Sequence, residues 1–324
     1  MQAGVPVLSG VEERLAPLKA WLFPRRVLLL LEDRAITALA LDGAQVIWSE
    51  QVPLPPGLCN QGEPIQVDSL GDLLGDLLVE RGFAGARVEG VLPAAACQCR
   101  LLRWPDGIWP DDPLRLLASQ ESQLQLQTPL SYVDLHLVPL ELPQPTSLCI
   151  AVVSQLLDRW IEVFSLAGAS LVRLEAAQLC LCRALLALPA LQCDVGTTVL
   201  LQLESEGAAL LIVEEGCPVY ERSLPAAEEG SRLDEQLQRV LQFWWRHRQL
   251  DGPPQLLCHG SGVPPADRLL ELAAAAGCTL VSLDPVAEGW LQAGPPLEGQ
   301  QRPAGSALLP LWGLVAAELT GAGS

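Results

Sequence analysis

Cysteine, histidine and lysine, the side chains that most often carry covalent or metal chemistry, are poorly arranged for it in this sequence. Ten cysteines (Cys59, Cys97, Cys99, Cys149, Cys180, Cys182, Cys193, Cys217, Cys258 and Cys278) occur without a C-x-x-C pair. Cys97 and Cys99 share a face if their segment is a strand, whereas Cys180 and Cys182 on a helix point about 200° apart, so the two pairs are not matching half-sites. Buried small apolar side chains are the better reading of these thiols, since free cysteine is among the most buried residue types. His136, His247 and His259 are the only histidines, and none has a partner at ligand spacing. Lys19 is the only lysine, which removes a Walker-type phosphate loop, a Schiff base and similar ammonium chemistry from the body of the chain.

Acidic residues, by contrast, gather at two turns of a repeated pattern. Val27 to Leu31 reads as an apolar strand, Glu32-Asp33-Arg34 as an interruption, Ile36 to Leu41 as a second strand, Asp42-Gly43 as a turn and Gln45 to Val52 as a third strand. The order recurs as Thr198 to Leu203, Glu204-Ser205-Glu206-Gly207, Ala208 to Val213, Glu215-Gly216 and Pro218 to Leu224. Apolar or period-2 runs split by X-Gly pairs signal antiparallel meanders, so a duplicated β-meander is predicted.

The elements around these meanders complete two lobes. A helix is predicted over Asp68 to Arg81, a strand over Arg87 to Leu92, a strand over Cys149 to Val153, and helices over Gln155 to Ala167, ending at Gly168, and Ala176 to Leu188. Residues 93–147 change character: Trp104, Pro105, Trp109, Pro110 and Pro113 cluster, then a helix over Leu114 to Leu124 and an alternating strand over Tyr132 to Leu140 make a small inserted module. The second lobe adds a helix from Leu233 to Leu250, a strand from Gln255 to His259 running into Gly260-Ser261-Gly262, a helix from Pro265 to Ala276, a strand from Thr279 to Leu283 and a last helix from Ala307 to Leu319. Pro285 to Gly305, rich in Gly, Pro and Gln, is expected to be mobile, and residues 1–24, with a weak stripe at Val11, Leu15, Leu18 and Leu22, form a leader. Trp244 and Trp245 are adjacent on their helix and cannot both face a core, so one is a candidate partner or lobe contact.

Composition bounds the partners. With 324 residues, half of them hydrophobic, the chain can bury the cores of two domains. A formal net charge of −18 disfavours nucleic acid and anionic membrane surfaces, both of which would be repelled. No apolar run reaches the ~20 residues of a spanning helix and no secretory signal is evident, so a cytoplasmic location is expected.

This order of elements, together with Leu54-Pro55-Pro56-Gly57, Val91-Leu92-Pro93, the run Leu256 to Pro264, Leu283-Asp284-Pro285 and the closing apolar helix, resembles the PilM family of type IV pilus assembly over roughly residues 25–320. The resemblance implies an α/β, actin-like (ribonuclease H-like) fold of two lobes. Residues 25–92 and 148–190 would form the first lobe, 93–147 its inserted α+β subdomain, and 195–324 a second lobe lacking most of its outer subdomain, because only a polar loop separates Leu224 from Leu233.

Actin-like proteins hold ATP with two Asp-x-Gly turns, the aspartate placing metal or water and the glycine admitting backbone N–H groups to the phosphates. On the family pattern the first aspartate and glycine fall at Leu30 and Glu32, the second at Gln202 and Glu204, and Asp33 is an unaligned substitute. Unit charges 4 Å apart repel by roughly 1 kcal/mol in water and about 4 kcal/mol at an effective dielectric of 20, so Glu32 and Glu204 would each oppose a triphosphate. Gly260-Ser261-Gly262 keeps the outline of an adenosine turn, which a plain strand-to-helix turn explains equally well.

The expectation is a protein without catalytic residues or a metal, whose ATP binding is lost or weak. By resemblance it would be a cytoplasmic scaffold held at the inner membrane face through the tail of a PilN-like inner-membrane protein and other pilus assembly proteins. Such tails bind in grooves through apolar anchors and strand pairing. Trp104 and Trp109 are the candidate surface, with packing of the insertion as the competing role. The alternatives are an active actin-like ATPase or sugar-kinase-type phosphotransferase with divergent loops, and an adaptor of a secretion or cell-division machine on the same fold.

Overall fold

β1 is buried along both faces, and its period-2 alternation divides the molecule. In the computed structural model, which describes residues 25–42, 44–104, 107–119, 124, 126–140, 142–187, 196–204, 207–225, 233–246, 252–260, 262–292 and 305–319, the helices are α1 (Val67–Glu80), α2 (Pro113–Ser119), α3 (Ser154–Leu166), α4 (Ala177–Leu186), α5 (Leu233–Trp245), α6 (Ala266–Ala276) and α7 (Leu309–Leu319). The strands are β1 (Arg26–Leu31), β2 (Ala35–Asp42), β3 (Gln45–Pro53), β4 (Cys59–Asn60), β5 (Glu63–Pro64), β6 (Arg87–Leu92), β7 (Cys97–Arg103), β8 (Val133–Leu140), β9 (Thr146–Val153), β10 (Ser170–Ala176), β11 (Thr197–Glu204), β12 (Gly207–Glu214), β13 (Cys217–Pro225), β14 (Gln255–His259) and β15 (Thr279–Val281).

Two sheets repeat one plan. The first has the order β10-β6-β1-β2-β3 and the second β13-β12-β11-β14-β15, each an antiparallel meander extended by parallel strands from its first member. The duplicated meander predicted from the turns is therefore present, with Glu32 to Arg34 at one tip.

On β1, Val27, Leu29 and Leu31 point into a core with Leu70, Leu74, Trp160 and Phe164 of α1 and α3, while Leu28 and Leu30 point the other way. On β11, Val199, Leu201 and Leu203 likewise meet Leu237, Leu241 and Leu272 of α5 and α6, and Leu200 points inward. A strand covered on both faces has to be nearly all apolar, which is why these runs do not alternate with polar residues. The two inward faces share one core with α4 and α7, through Leu181, Leu185, Trp312 and Val315. These helices cross closely at Gly313, where an added Cβ would lie 1.9 Å from the carbonyl oxygen of Cys180.

A buried carboxylate ties the first sheet to that helix layer. Glu89 on β6 accepts hydrogen bonds from Arg26 and Arg173, and Arg173 also donates to the Leu314 carbonyl at 3.0 Å. Paired in this way the charge is tolerated at 6 % exposure.

The insertion is larger than the sequence boundaries suggested. β9 is the central strand of a separate sheet, β7-β9-β8, so the inserted sheet runs to Val153 and does not close at residue 147. The apolar run Cys149 to Val153 reads as a lobe strand because a central strand of any sheet is buried on both faces; sequence alone does not say which sheet.

Part of the stretch expected to be mobile is packed. Trp290 stacks on Trp312 at 4.6 Å, Leu291 is buried, the Val46 N–H donates to the Gln292 carbonyl at 2.9 Å and the Gln292 N–H to the Ala44 carbonyl at 2.9 Å. Residues 293–304, the leader 1–24, residues 247–250 of the helix predicted over Leu233 to Leu250 and residues 120–123 of the one predicted over Leu114 to Leu124 lie outside the described residues. Among the described residues no helix is long and apolar enough to cross a membrane.

Candidate functional site

The same alternation that fills the inner core with Leu28 and Leu30 brings Glu32, one step past the end of β1, to the inner side. On β11 the inner position after Leu200 is Gln202, and on β14 the residue in register with Gln202 is His259. These polar residues sit at the carboxyl ends of parallel strands, the place where open α/β sheets hold ligands.

The two hairpin tips touch each other. The Gln202 Nε2 donates to Glu32 Oε1 at 3.4 Å, a hydrogen bond between the lobes. Glu32 is 3 % and Gln202 4 % exposed, so the contact is away from solvent. Leu30, which the resemblance aligned with a phosphate-site aspartate, belongs to the shared inner core. Glu204 ends β11 opposite Gly207.

Asp33 has a different task. Its carboxylate accepts the backbone N–H groups of Gln61 and Gly62, both at 2.7 Å. Those residues form the tip between β4 and β5 with positive φ values of 51° and 77°, a conformation that two charge-assisted bonds help to hold. The Trp160 indole N–H closes the same tip by donating to the Gly62 carbonyl at 2.9 Å. Asp33 therefore pins the β4–β5 tip to the first hairpin.

Gly260 and Gly262 are explained by backbone proximity. Gly260 has φ +106°, and a Cβ there would stand 2.6 Å from the Leu203 carbonyl oxygen. The Gly262 N–H donates to that same oxygen at 2.8 Å, so the turn is spent on closing β14 against β11. Ser261 lies outside the described residues.

The two candidate tryptophans separate. Trp104 is 6 % exposed, donates its indole N–H to Ser147 Oγ at 3.0 Å, and packs with Leu117 and Leu124 as the core of the insertion. It is not a surface residue. Trp109 leans on it with centroids 6.3 Å apart yet stays 42 % exposed, and its sequence neighbour Ile108 is exposed too. Trp244 and Trp245 both pack partly on the second lobe's core, Trp244 against Tyr220 at 5.1 Å, so neither stands out from the surface.

Sequence reasoning missed a polar junction between the insertion and the second lobe. Gln178 on α4 donates to Glu221 Oε2 on β13 at 3.1 Å, and Glu221 Oε1 accepts from Arg100 and from the Cys99 N–H. No motif marks these residues, because each comes from a different element. His259, which has no partner at ligand spacing in the sequence, is 1 % exposed, and burial pushes its imidazole down to about 4.

The thiols are inert by the same physics. Burial pushes Cys97 and Cys258 up to about 12, far from the range of a reactive thiolate. Among the described residues no three His, Cys, Asp or Glu side chains are grouped to hold a metal ion. Cys193 and His247 lie outside them.

Two sheets of identical strand order, facing each other across shared helices, match solved structures over nearly the whole chain. A chain of the PilM-PilN type IV pilus biogenesis complex is 17% identical with a TM-score of 0.70, covering 92% of this chain and 99% of that one. A Bacteroides thetaiotaomicron protein described as having an actin-like ATPase fold and unknown function is 10% identical with a TM-score of 0.53, covering 92% and 96%. This chain has the actin-like fold. The ethanolamine utilization protein EutJ from Carboxydothermus hydrogenoformans, at 10% identity and a TM-score of 0.50, covers 90% of this chain and 89% of its own. No family model and no curated protein matches the sequence. On the actin-like fold, the tips joined by Gln202 and Glu32 are those that the sequence resemblance assigned to the phosphates of a nucleotide.

Proposed function

We propose that this protein is a non-catalytic, PilM-like scaffold of a pilus assembly machine, in the cytoplasm, holding the tail of a PilN-like inner-membrane protein. The observation that carries the non-catalytic part is the hydrogen bond between Gln202 and Glu32. A triphosphate with its metal does not fit this arrangement. A carboxylate and a carboxamide occupy the space between the hairpin tips, Asp33 is engaged by two backbone amides, and the Gly262 N–H is engaged by Leu203. Opening the bridge would leave a buried carboxylate facing phosphate, a repulsion of about 4 kcal/mol per charge pair at 4 Å and an effective dielectric of 20.

Two measurements test this reading separately. Isothermal titration with ATP and magnesium is expected to give no binding heat at micromolar concentrations. Saturable micromolar binding would return the active ATPase or phosphotransferase as the better account.

The partner half of the reading is supported by overall likeness to a chain solved in a PilM-PilN complex. Trp109, an exposed ring of the insertion, is the proposed anchor, and its neighbour in sequence, Ile108, is also exposed. A PilN-like tail peptide is expected to co-purify with the wild type, and Trp109→Ala to weaken that binding at least about tenfold, the size of a hot-spot truncation. Because the ring is only partly buried, thermal stability should change little. Equal retention of the tail by both proteins would remove Trp109 from the interface, and no retention by either would remove the partner.

A further inference from the structure

β8 is the outer strand of the inserted sheet, and among the described residues it is paired on one side only, by β9. The opposite edge of that sheet, β7, is closed by side chains: Glu221 accepts from the Cys99 N–H at 3.2 Å and Gln178 donates to the Cys97 carbonyl at 3.4 Å. An open edge is a template for a further strand.

The register fixes which backbone groups of β8 face outward. The Trp104 N–H donates to the Pro145 carbonyl at 3.0 Å, continuing the β7–β9 register, so odd-numbered residues of β9 bond to β7 and even-numbered ones to β8. Asp134, His136, Val138 and Leu140 receive those bonds, and Val133, Leu135, Leu137 and Pro139 turn their backbone to the open edge. The Val133 N–H is taken by the Leu130 carbonyl, and Pro139 has none. Among the described residues the outward N–H and C=O groups of Leu135 and Leu137 have no hydrogen-bond partner. The side chains of these two leucines pack on the core of the insertion, whereas Asp134 and His136 are exposed on the other face.

We propose that this edge pairs with the same edge of a second copy of the chain, antiparallel about a twofold axis at Leu135, so that two inserted sheets become one sheet of six strands. In that register Leu135 meets Leu135 of the second copy, Val133 meets Leu137, and Asp134 meets His136, the last two pairs occurring twice by symmetry. Asp134 and His136 then form non-hydrogen-bonded pairs, the positions where side chains lie closest. An imidazole N–H donates to a carboxylate whether the ring carries one proton or two. Four backbone bonds accompany them: the Leu135 N–H to the Leu135 carbonyl of the other copy, and the Leu137 N–H to the Val133 carbonyl, each twice.

The neighbouring twofold registers are worse. Moving the axis to Asp134 sets Asp134 against Asp134, and moving it to His136 sets His136 against itself and Pro139, without an N–H, against Val133. One symmetric pairing therefore satisfies both charge and backbone, which is what a self-complementary interface requires. The net charge of −18 opposes association at low salt. At about 0.15 M salt, where the screening length is about 8 Å, the local contacts decide.

The proposal does not depend on the pilus reading. Sedimentation equilibrium of the full chain in about 0.15 M salt, from about 10 µM to about 1 mM, is expected to show a mass rising towards twice the monomer, since a joint of one strand lies at the small, transient end of interfaces. His136→Asp turns both symmetric pairs repulsive and should weaken the dimer at least about tenfold. Adding Asp134→His to it exchanges the two side chains and should restore the affinity; both residues are exposed, so neither change disturbs the core. Leu135→Pro removes an outward N–H that β9 does not use and should abolish dimerisation, with the charge exchange standing as the test if the proline unsettles the strand. A wild type that stays monomeric throughout, a dimer unchanged by His136→Asp, or a double variant that does not recover overturns the proposal. A monomer whose Leu135 and Leu137 amide resonances move on adding a PilN-like tail peptide also overturns it, and gives the edge to that partner.

Discussion

Gly313→Ala should lower the unfolding free energy by about 3 kcal/mol or more, at the upper end of the ~1–3 kcal/mol typical of overpacking. The added Cβ would meet the carbonyl oxygen of Cys180 at 1.9 Å and its carbonyl carbon at 2.6 Å. Both are backbone atoms inside α4, so no rotamer change relieves the contact; the helices have to separate. Those helices carry the core shared by the two lobes, with Leu181, Leu185, Trp312 and Val315, so the separation loosens the whole inter-lobe layer. For a 324-residue chain the loss corresponds to roughly 4–5 °C in melting temperature, read by calorimetry. Gly252→Ala is the control, because a Cβ there meets nothing within 4 Å. A melting temperature for Gly313→Ala within a degree or two of wild type would mean that α4 and α7 do not cross this closely.

The second large effect is acid sensitivity from His259. Its ordinary value is 6.5 and burial lowers it to about 4 in the folded protein. Between those limits the unfolded chain binds the proton and the folded chain does not, so stability falls as pH drops from 6.5 towards 4. The loss reaches roughly 3 kcal/mol, taking ~1.4 kcal/mol per pK unit. Among the described residues no group hydrogen-bonds the ring to offset this, and the charged groups that line a cavity with it, Glu221, Arg100 and Arg222, include the mutually paired Glu221 and Arg100. Glu50, whose carboxyl is lowered chiefly by its hydrogen bond from Arg81, adds an acid-labile contribution that begins below its own ordinary value of 4.5. The His259→Gln variant separates the two: denaturant unfolding between pH 6.5 and 4.5 should show a clearly flatter pH dependence than wild type. Identical slopes would mean that the imidazole is solvated or paired in the folded state.

Legibility in the sequence followed the range of the interaction. The meanders were readable because alternation and X-Gly turns are local, and Gly168 marked the end of α3 because a helix stop at φ +65° favours glycine. That no Asp-x-Gly sequence stands at Leu30 to Glu32 or at Gln202 to Glu204 was also a local fact, visible once the family pattern was laid on the chain. The membership of β9 was not readable, since burial on both faces is common to the central strand of any sheet. Trp104 and Trp109 had equal claims to the surface until the packing of Leu117 and Leu124 buried one of them.

The sequence by itself determined the two-lobed, duplicated plan and the chemistry missing from its hairpin tips, because strand periodicity, turn residues and side-chain type are properties of short stretches. Only the tertiary structure decided what those tips do instead. Gln202 and Glu32 are 170 positions apart, and Gln178 and Glu221 come from α4 and β13. Their hydrogen bonds depend on how two sheets are stacked about α4 and α7, a geometry that is set by the packing of the shared core and leaves no trace in residue spacing.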